Sequence, residues 1–283
     1  MTHSERTRKL REAIEEIARR HKTVACAVAV RDYDSDFRFT QNGDRVFHAA
    51  STIKVAILLA VLKAVEEGRA GWDDPLHVRN RFLSIVDRSA FSIDANSDGY
   101  PQLYRSVGRT AQISDLAKSM VTSSSNLATN LLLDFVRTEY ATRVLEIAGV
   151  DGVQLRRGVE DEKAHAQWLD NEATANGLLK LFEVFRGDFL AKESRDRAIH
   201  ILLEQKFKSM LPAGLPSHAT VAHKTGEIST ACHDAGIVYL PEREPYLVAV
   251  LTEVDRETND RRDVVAEISK AVYEAVTGKA PGK

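Results

Sequence analysis

Apolar residues repeat with two different spacings along the chain, and each spacing predicts a different kind of element. Residues 23 to 33 and 36 to 42 read as two strands joined by a short turn at Asp34 and Ser35. From residue 51 to about residue 203 the apolar positions recur every three or four residues, which predicts helices. Further strand-like stretches return near the end, at 221 to 228, 232 to 240 and 245 to 254.

The order of these elements predicts an α/β fold of the α+β type. Successive hairpins favour antiparallel pairing, so we expect a five-stranded antiparallel sheet flanked by the helices at the two ends of the chain. An all-helical lobe is inserted into this arrangement. We predict a sheet lobe formed by residues 1–49 plus 205–283 and a helical lobe formed by residues 50–204, with the functional cleft between them.

The segment from 75 to 113 interrupts the helical pattern. It is rich in Ser, Asp, Asn and Gly and shows no clear periodicity. Long irregular segments inside a domain are uncommon without a role, so this one is expected either to border the cleft or to form a solvated connection.

Composition points to a small-molecule partner. The chain has 283 residues, with 39 Lys plus Arg against 41 Asp plus Glu, and this balance argues against a nucleic-acid binder. The first 22 residues lack the apolar core of a signal peptide, and no run of about 18 apolar residues predicts a membrane span. The location is therefore unknown: cytoplasmic as given, periplasmic or secreted if a leader has been removed.

The cysteines and histidines predict no cofactor. Cys26 and Cys232 lie in strand-like stretches and show neither metal-binding nor redox spacing, so both are expected to be buried thiols. There is no HExxH, Cys/His cluster or GxGxxG motif, and we expect neither a metal nor a dinucleotide. His223 and the pair His233-Asp234 are expected to be structural.

The first candidate for chemistry lies at the head of a long apolar run. In "FHAASTIKVAILLAVLKAVEEG", Ser51 and Lys54 are three residues apart, so one helix face would bring the hydroxyl and the amine within hydrogen-bonding reach. Such a pair suits a nucleophile beside its base, with Ser51 at the helix N-terminus, where developing negative charge is favoured. The alternative is a simple helix cap followed by a lysine that extends to water.

Two further motifs complete an ordered set. Ser124, Ser125 and Asn126 precede another apolar helix, and Lys224-Thr225-Gly226 lies on a strand. Together with Ser51-Thr52-Ile53-Lys54 the chain resembles the penicillin-recognising serine hydrolases, and most closely the class A β-lactamase family, whose motifs are Ser-x-x-Lys, Ser-Asp-Asn and Lys-Thr-Gly. The resemblance spans roughly residues 23 to 275.

The resemblance implies a role for each residue of these motifs. Ser51 would be acylated, Lys54 and Ser124 would transfer protons, and Asn126 would orient the substrate amide. Lys224 would keep the site electropositive, Thr225 would bind the substrate carboxylate, Gly226 would permit a close backbone approach, and the N–H groups of Ser51 and Glu227 would hold the oxyanion.

Two departures from the family pattern matter. Ser125 stands where the family has an aspartate, which removes a carboxylate from the site. The family's water-activating loop glutamate is also not matched, because Val159 occupies the position expected from Arg157. Glu160 is the leading candidate for the deacylation base, with Asp161 and Glu162 as further acids; the alternative is a solvated acidic loop.

Three functions remain open on the sequence alone. The first is a serine hydrolase that opens β-lactams through an acyl-enzyme on Ser51. The second is a related peptidase or esterase that binds β-lactams covalently and releases them slowly. The third is a non-catalytic binding module that keeps the fold.

Overall fold

A five-stranded antiparallel sheet forms the centre of the protein, seen in a computed structural model that describes residues 2–257 and 260–280. The strands are β1 (Ala25–Asp32), β2 (Arg38–Gln41), β3 (Thr220–Ile228), β4 (Ala231–Tyr239) and β5 (Tyr246–Glu253). They lie in the order β3-β4-β5-β1-β2, and every neighbouring pair is antiparallel. This arrangement confirms the predicted sheet and fold class.

Helices cover both faces of the sheet and fill the middle of the chain. They are α1 (His3–Arg20), α2 (Lys54–Glu66), α3 (Ile113–Thr122), α4 (Asn126–Val136), α5 (Thr138–Ile147), α6 (Glu162–Ala166), α7 (Ala175–Val184), α8 (Lys192–Leu203) and α9 (Arg261–Thr277). One expectation was wrong: Ser51 does not begin a helix, but lies in a 3₁₀ turn, Ala50–Ile53, and α2 starts only at Lys54.

The sheet separates two hydrophobic clusters because alternate residues of a strand face opposite sides. Val28 and Val30 pack with α1 and α9, whereas Ala27 and Ala29 belong to the cluster that holds the central helices. Helix α7 packs in that second cluster directly against the sheet, so the proposed sheet and helical lobes share one core. The boundary between residues 50–204 and the remainder stays a prediction.

The 75 to 113 segment consists of short pieces rather than a helix. Two small antiparallel pairs and a 3₁₀ turn give it shape: Pro75–His77 with Thr110–Gln112, Phe82–Leu83 with Ala90–Phe91, and Pro101–Ser106. The other short strands are Phe47–His48, Val153–Gln154 and Glu172–Ala173, and a further 3₁₀ turn spans Leu211–Gly214.

Cys26 and Cys232 are both buried free thiols, as expected. Burial raises the pKa of each thiol to about 12, so neither is poised for reaction. Within the described residues, none of the helices has the length and apolar character needed to cross a bilayer.

Candidate active site

The three motifs converge on one cleft of about 370 Å³. The edge strand β3, the 3₁₀ turn at Ala50–Ile53, the start of α4 and the loop at residue 160 surround it. From the set predicted by sequence, the cleft is lined by Ser51, Ser124, Asn126, Glu160, Thr225 and Glu227. Ser97 and Gly99 also line it, so the irregular segment 75 to 113 borders the cleft.

The backbone before Ser51 is held in an unusual conformation. Ala50 has φ +47°, a left-handed value that costs a residue with a side chain about 1–2 kcal/mol. Its N–H donates to His48 Nδ1 at 3.0 Å, and the neighbouring Ala49 N–H donates to the carbonyl of Asn171 at 2.8 Å. On the other side, His233 Nε2 donates to the His48 carbonyl at 3.0 Å. These contacts fix the turn that presents Ser51.

Gly226 allows β3 to approach this turn closely. A Cβ added at Gly226 would lie 3.0 Å from Thr52 N, 3.0 Å from Thr52 Cγ2 and 3.2 Å from the Ala49 carbonyl. Any side chain at this position would therefore push the strand away from the turn.

Lys54 is completely buried, and its partners differ from those expected. Its Nζ lies 2.7 Å from the Ser124 carbonyl, 3.0 Å from Ser124 Oγ and 2.7 Å from Asn126 Oδ1. Among residues 2–257 and 260–280 no hydrogen bond joins Lys54 to Ser51, so the predicted direct bond is absent. Burial, followed by the charge of Lys224, holds the pKa of Lys54 well below its usual value.

Ser124 connects the two lysines. Its Oγ lies 3.0 Å from Lys54 Nζ and 3.2 Å from Lys224 Nζ, and Lys224 also donates to the Thr225 carbonyl at 2.8 Å. Burial lowers the pKa of Lys224 to about 7, although the Asp234 carboxylate opposes this effect. Lys224 is thus able to change protonation near neutral pH, the pKa of Lys54 is also lowered, and one hydroxyl stands between the two amines.

His223 and Asp234 form a buried pair behind Lys224. His223 Nδ1 lies 2.9 Å from both carboxylate oxygens, and the same carboxylate accepts the Leu211 N–H at 3.1 Å. His233 is also buried, with its pKa lowered to about 4 by burial. Neither histidine lines the cleft, which agrees with the structural role expected for both.

Of the three acids considered as bases, only Glu160 reaches the cleft. Its Oε1 accepts a hydrogen bond from Asn126 Nδ2 at 2.7 Å, while Asn126 Oδ1 accepts from Lys54. Asp161 is buried and caps α6, accepting the N–H groups of Ile85 and Ala164, and Glu162 lies outside the cleft.

The loop that carries Glu160 is fixed from behind. Arg157 pairs with Asp170 at 2.6 Å, and the amide of Asn130 clamps Val159 by accepting its N–H at 2.8 Å and donating to its carbonyl at 2.9 Å. Glu160 itself has φ +61°. The left-handed backbone at Glu160 follows directly after this clamp, and the Glu160 side chain reaches Asn126.

The carboxylate of Glu227 is turned toward α9. Arg261 Nε lies 2.8 Å and Arg262 Nη2 2.9 Å from its oxygens, and Arg262 also lines the cleft. The role assigned to residue 227 requires only its backbone N–H, and the two arginines offset a negative charge that would repel an oxyanion.

Three side chains near the loop have the spacing of a metal site. The ligand atoms of His48, His165 and Asp170 all lie within 4.8 Å of one another. However, His48 Nδ1 accepts the Ala50 N–H, so the proton of the His48 ring lies on Nε2. Nε2 is the ring nitrogen that would have to bind the metal, and it would have to lose this proton to do so. Asp170 is already paired with Arg157 and His165. The cluster fits a hydrogen-bonded support for the loop better than a metal centre.

Residues outside the predicted set also support the site, among them His48 beneath the Ser51 turn and Asp98 beside the start of α4. His48 precedes Ser51 by only three residues, so its closeness could have been inferred. Asp98 lies in the irregular segment, where no periodicity points to it.

Comparison with known proteins decides the family. The model of the "Beta-lactamase enzyme family" matches residues 9–276. The chain belongs to this family. Beta-lactamase VEB-1 of Pseudomonas aeruginosa is 23% identical over 267 residues, which cover 89% of this chain and 85% of that protein.

Solved structures of similar proteins agree. The structure of PBP-A is 26% identical with a TM-score of 0.81, and the match covers 96% of this chain and 97% of that chain. A mutant of PBP-A, solved as an acyl-enzyme complex with penicillin G, is also 26% identical, with a TM-score of 0.78 and the same coverage. This beta-lactamase family member therefore shares its overall fold with PBP-A.

Proposed function

We propose that this family member is a serine hydrolase that opens β-lactam amides by acylation of Ser51. The observation that carries the proposal is the hydrogen-bonded group of Lys54, Ser124 and Lys224, in which Ser124 lines the same cleft as Ser51 and the two lysines are buried. A serine hydroxyl is a poor nucleophile until a base takes its proton, and a buried lysine with a lowered pKa can be that base.

In the acylation step, Ser51 Oγ attacks the lactam carbonyl carbon and its proton passes to neutral Lys54. For this transfer Lys54 Nζ turns from Ser124 toward Ser51. The oxyanion accepts hydrogen bonds from the backbone N–H groups of Ser51 and Glu227, donors that are worth about 2.7–4 kcal/mol each in other acyl-transfer enzymes. When the C–N bond breaks, the Ser124 hydroxyl protonates the lactam nitrogen and recovers a proton from Lys54.

The proposed binding groups lie around this centre. Lys224, when protonated, and the Thr225 hydroxyl would hold the substrate carboxylate, and Asn126 would hold the side-chain amide. Gly226 supports the assignment because its close approach to the Ser51 turn leaves the edge of β3 beside the nucleophile.

In the deacylation step, Glu160 would take a proton from water as the water attacks the acyl carbon. The ester C–O bond then breaks, and the proton that Glu160 took from water passes to Ser51 Oγ, so that Glu160 is again a carboxylate and Ser51 again a hydroxyl. The support is the hydrogen bond between Glu160 and Asn126, which holds one carboxylate oxygen at the cleft and leaves the other available. Val159 cannot act in this way, since its side chain is apolar.

A second candidate function is a related amide or ester hydrolase whose β-lactam acyl-enzyme is long-lived. Two observations favour it. Glu160 is exposed to solvent, and alignment on the loop arginine, Arg157, puts Val159 rather than Glu160 at the position of the family's base. A mutant of PBP-A, which has a similar fold, has been solved as an acyl-enzyme complex with penicillin G, so a similar protein forms the covalent adduct that this candidate requires. The two candidates share acylation and differ in the rate of deacylation.

Turnover of nitrocefin, measured with the native chain and with Ser51→Ala, tests the proposal. The hydrolase predicts continuous turnover that Ser51→Ala abolishes. The second candidate predicts a single burst of about one product per chain, together with hydrolysis of short-chain esters. No turnover, no burst and no adduct with a fluorophosphonate would leave a non-catalytic binding module.

A further inference from the structure

Asp98 is a buried carboxylate outside the three motifs, only 6% exposed. Four donors surround it: the Tyr100 N–H at 2.7 Å, the Leu127 N–H at 2.8 Å, the Tyr104 hydroxyl at 3.1 Å and the Ser125 hydroxyl at 3.4 Å. Carboxylates are rarely buried without such partners, and this one reaches across from the 75 to 113 segment to the start of α4.

The place that Asp98 contacts is the turn that carries Ser124 and Asn126. Ser125 caps α4 by accepting the Ala128 N–H at 3.2 Å, and Asp98 accepts the N–H of the preceding residue, Leu127, in the same first turn. A negative charge is favoured at this end of a helix. Ser124, immediately before, has φ +59°, a conformation that its surroundings must impose.

We propose that Asp98 is a positioning residue that fixes the Ser124–Asn126 turn against Lys54. It thereby supplies, from a distant segment, the carboxylate that Ser125 lacks within the motif. The inference rests on the proposed acylation of Ser51, because the geometry it maintains is that of the proton path through Lys54 and Ser124.

Two consequences separate this role from simple structural support. First, the carboxylate that fixes the turn can come from position 98 or from position 125, so an aspartate introduced at position 125 should compensate for the loss of Asp98. Second, Asp98 is one of three charged groups that face Lys54, together with Glu160 and Lys224, and its charge raises the pKa of Lys54 against the dominant effect of burial. Loss of that charge therefore moves the acidic limb of the acylation profile to lower pH.

The test compares the native chain with Asp98→Asn, Ser125→Asp and the double variant. Each is mixed with benzylpenicillin, quenched at short times and examined by intact-protein mass spectrometry between pH 5 and 9. Asp94→Asn is the matched control, because Asp94 is an exposed aspartate of the same segment whose carboxylate, within the described part of the chain, accepts hydrogen bonds only from Asn96.

We expect Asp98→Asn to slow acylation about 10- to 100-fold, since hydrogen bonds to a charged group are lost, and to shift its acidic limb to lower pH. The double variant should recover to within about threefold of the native rate and restore the limb. Ser125→Asp alone should slow acylation, because two carboxylates would then lie in contact. Asp94→Asn should match the native chain.

The inference is overturned if Asp98→Asn acylates like the native chain, or if it is slow and the double variant is equally slow. If Asp98→Asn yields no folded protein, the double variant decides. A double variant that folds and acylates supports the inference, and one that does not fold or does not acylate overturns it. If the native chain itself forms no adduct, the proposed function fails first and the positioning role fails with it; a native adduct with unaffected variants overturns the positioning role alone.

Discussion

Replacement of Glu160 by glutamine separates the two chemical steps most sharply. The amide oxygen of glutamine can still accept the hydrogen bond from Asn126 Nδ2, which is 2.7 Å long in the native site, so the loop and Asn126 keep their positions. What is lost is the ability to take a proton from water. The substitution therefore removes the base at position 160 and keeps the shape of the side chain.

The magnitude follows from the role. A positioned general base contributes about 10²- to 10⁴-fold, or about 2.7–5.4 kcal/mol of activation free energy. We expect deacylation in Glu160→Gln to fall by a factor in this range and acylation to change by less than about threefold. Because the Glu160 charge raises the pKa of Lys54, the acidic limb of acylation should also move to lower pH.

Stopped-flow acylation with nitrocefin and time-resolved mass spectrometry with benzylpenicillin measure both steps. Glu162→Gln is the matched control, since Glu162 is an exposed glutamate only two residues further along the chain, at the start of α6, and does not line the cleft. An adduct that persists in Glu160→Gln and decays in Glu162→Gln is the expected result. If both variants turn over at the native rate, or if acylation and deacylation fall together, Glu160 is not the base.

Three further predictions concern pH, packing and reactivity. The pKa of Lys224 is lowered to about 7, so the charge of this side chain is lost as pH rises, and KM for benzylpenicillin should increase above pH 7. Lys224→Arg should move this increase in KM to higher pH. A KM of the native chain that does not change with pH would contradict the assignment. Gly226→Ala places a Cβ 3.0 Å from Thr52 N, and we expect a loss of about 1–3 kcal/mol in unfolding free energy by thermal melting, with a lower kcat/KM for nitrocefin. Cys26 and Cys232 should resist Ellman's reagent in the native protein and react after denaturation, whereas rapid native labelling would show that a thiol is accessible.

The sequence predicted the sheet and the motif residues because both leave local signals. Strands buried on both faces read as apolar runs, and the five-stranded sheet is antiparallel as predicted. The motif residues were matched by residue type and order; Ser51 and Ser124 line one cleft and Lys224 contacts Ser124, while the catalytic role of each residue stays a prediction.

The detailed partners could not be predicted because they depend on contacts distant in sequence. Spacing suggested that Lys54 bonds to Ser51, yet the Lys54 amine turns to Ser124, 70 residues away. Asp98 lies in a segment without periodicity, and its four donors come together only in the fold. The orientation of Glu160 depends on a positive φ that no residue type at this position signals.

The central claim is that Ser51 becomes covalently acylated, and peptide mapping tests it most directly. The native chain is incubated with benzylpenicillin, quenched in acid within seconds and digested, and the peptide that carries the added mass is sequenced by tandem mass spectrometry. We predict one penicilloyl group on Ser51 and none in Ser51→Ala. An adduct on another residue, or none at any time point, would contradict the account.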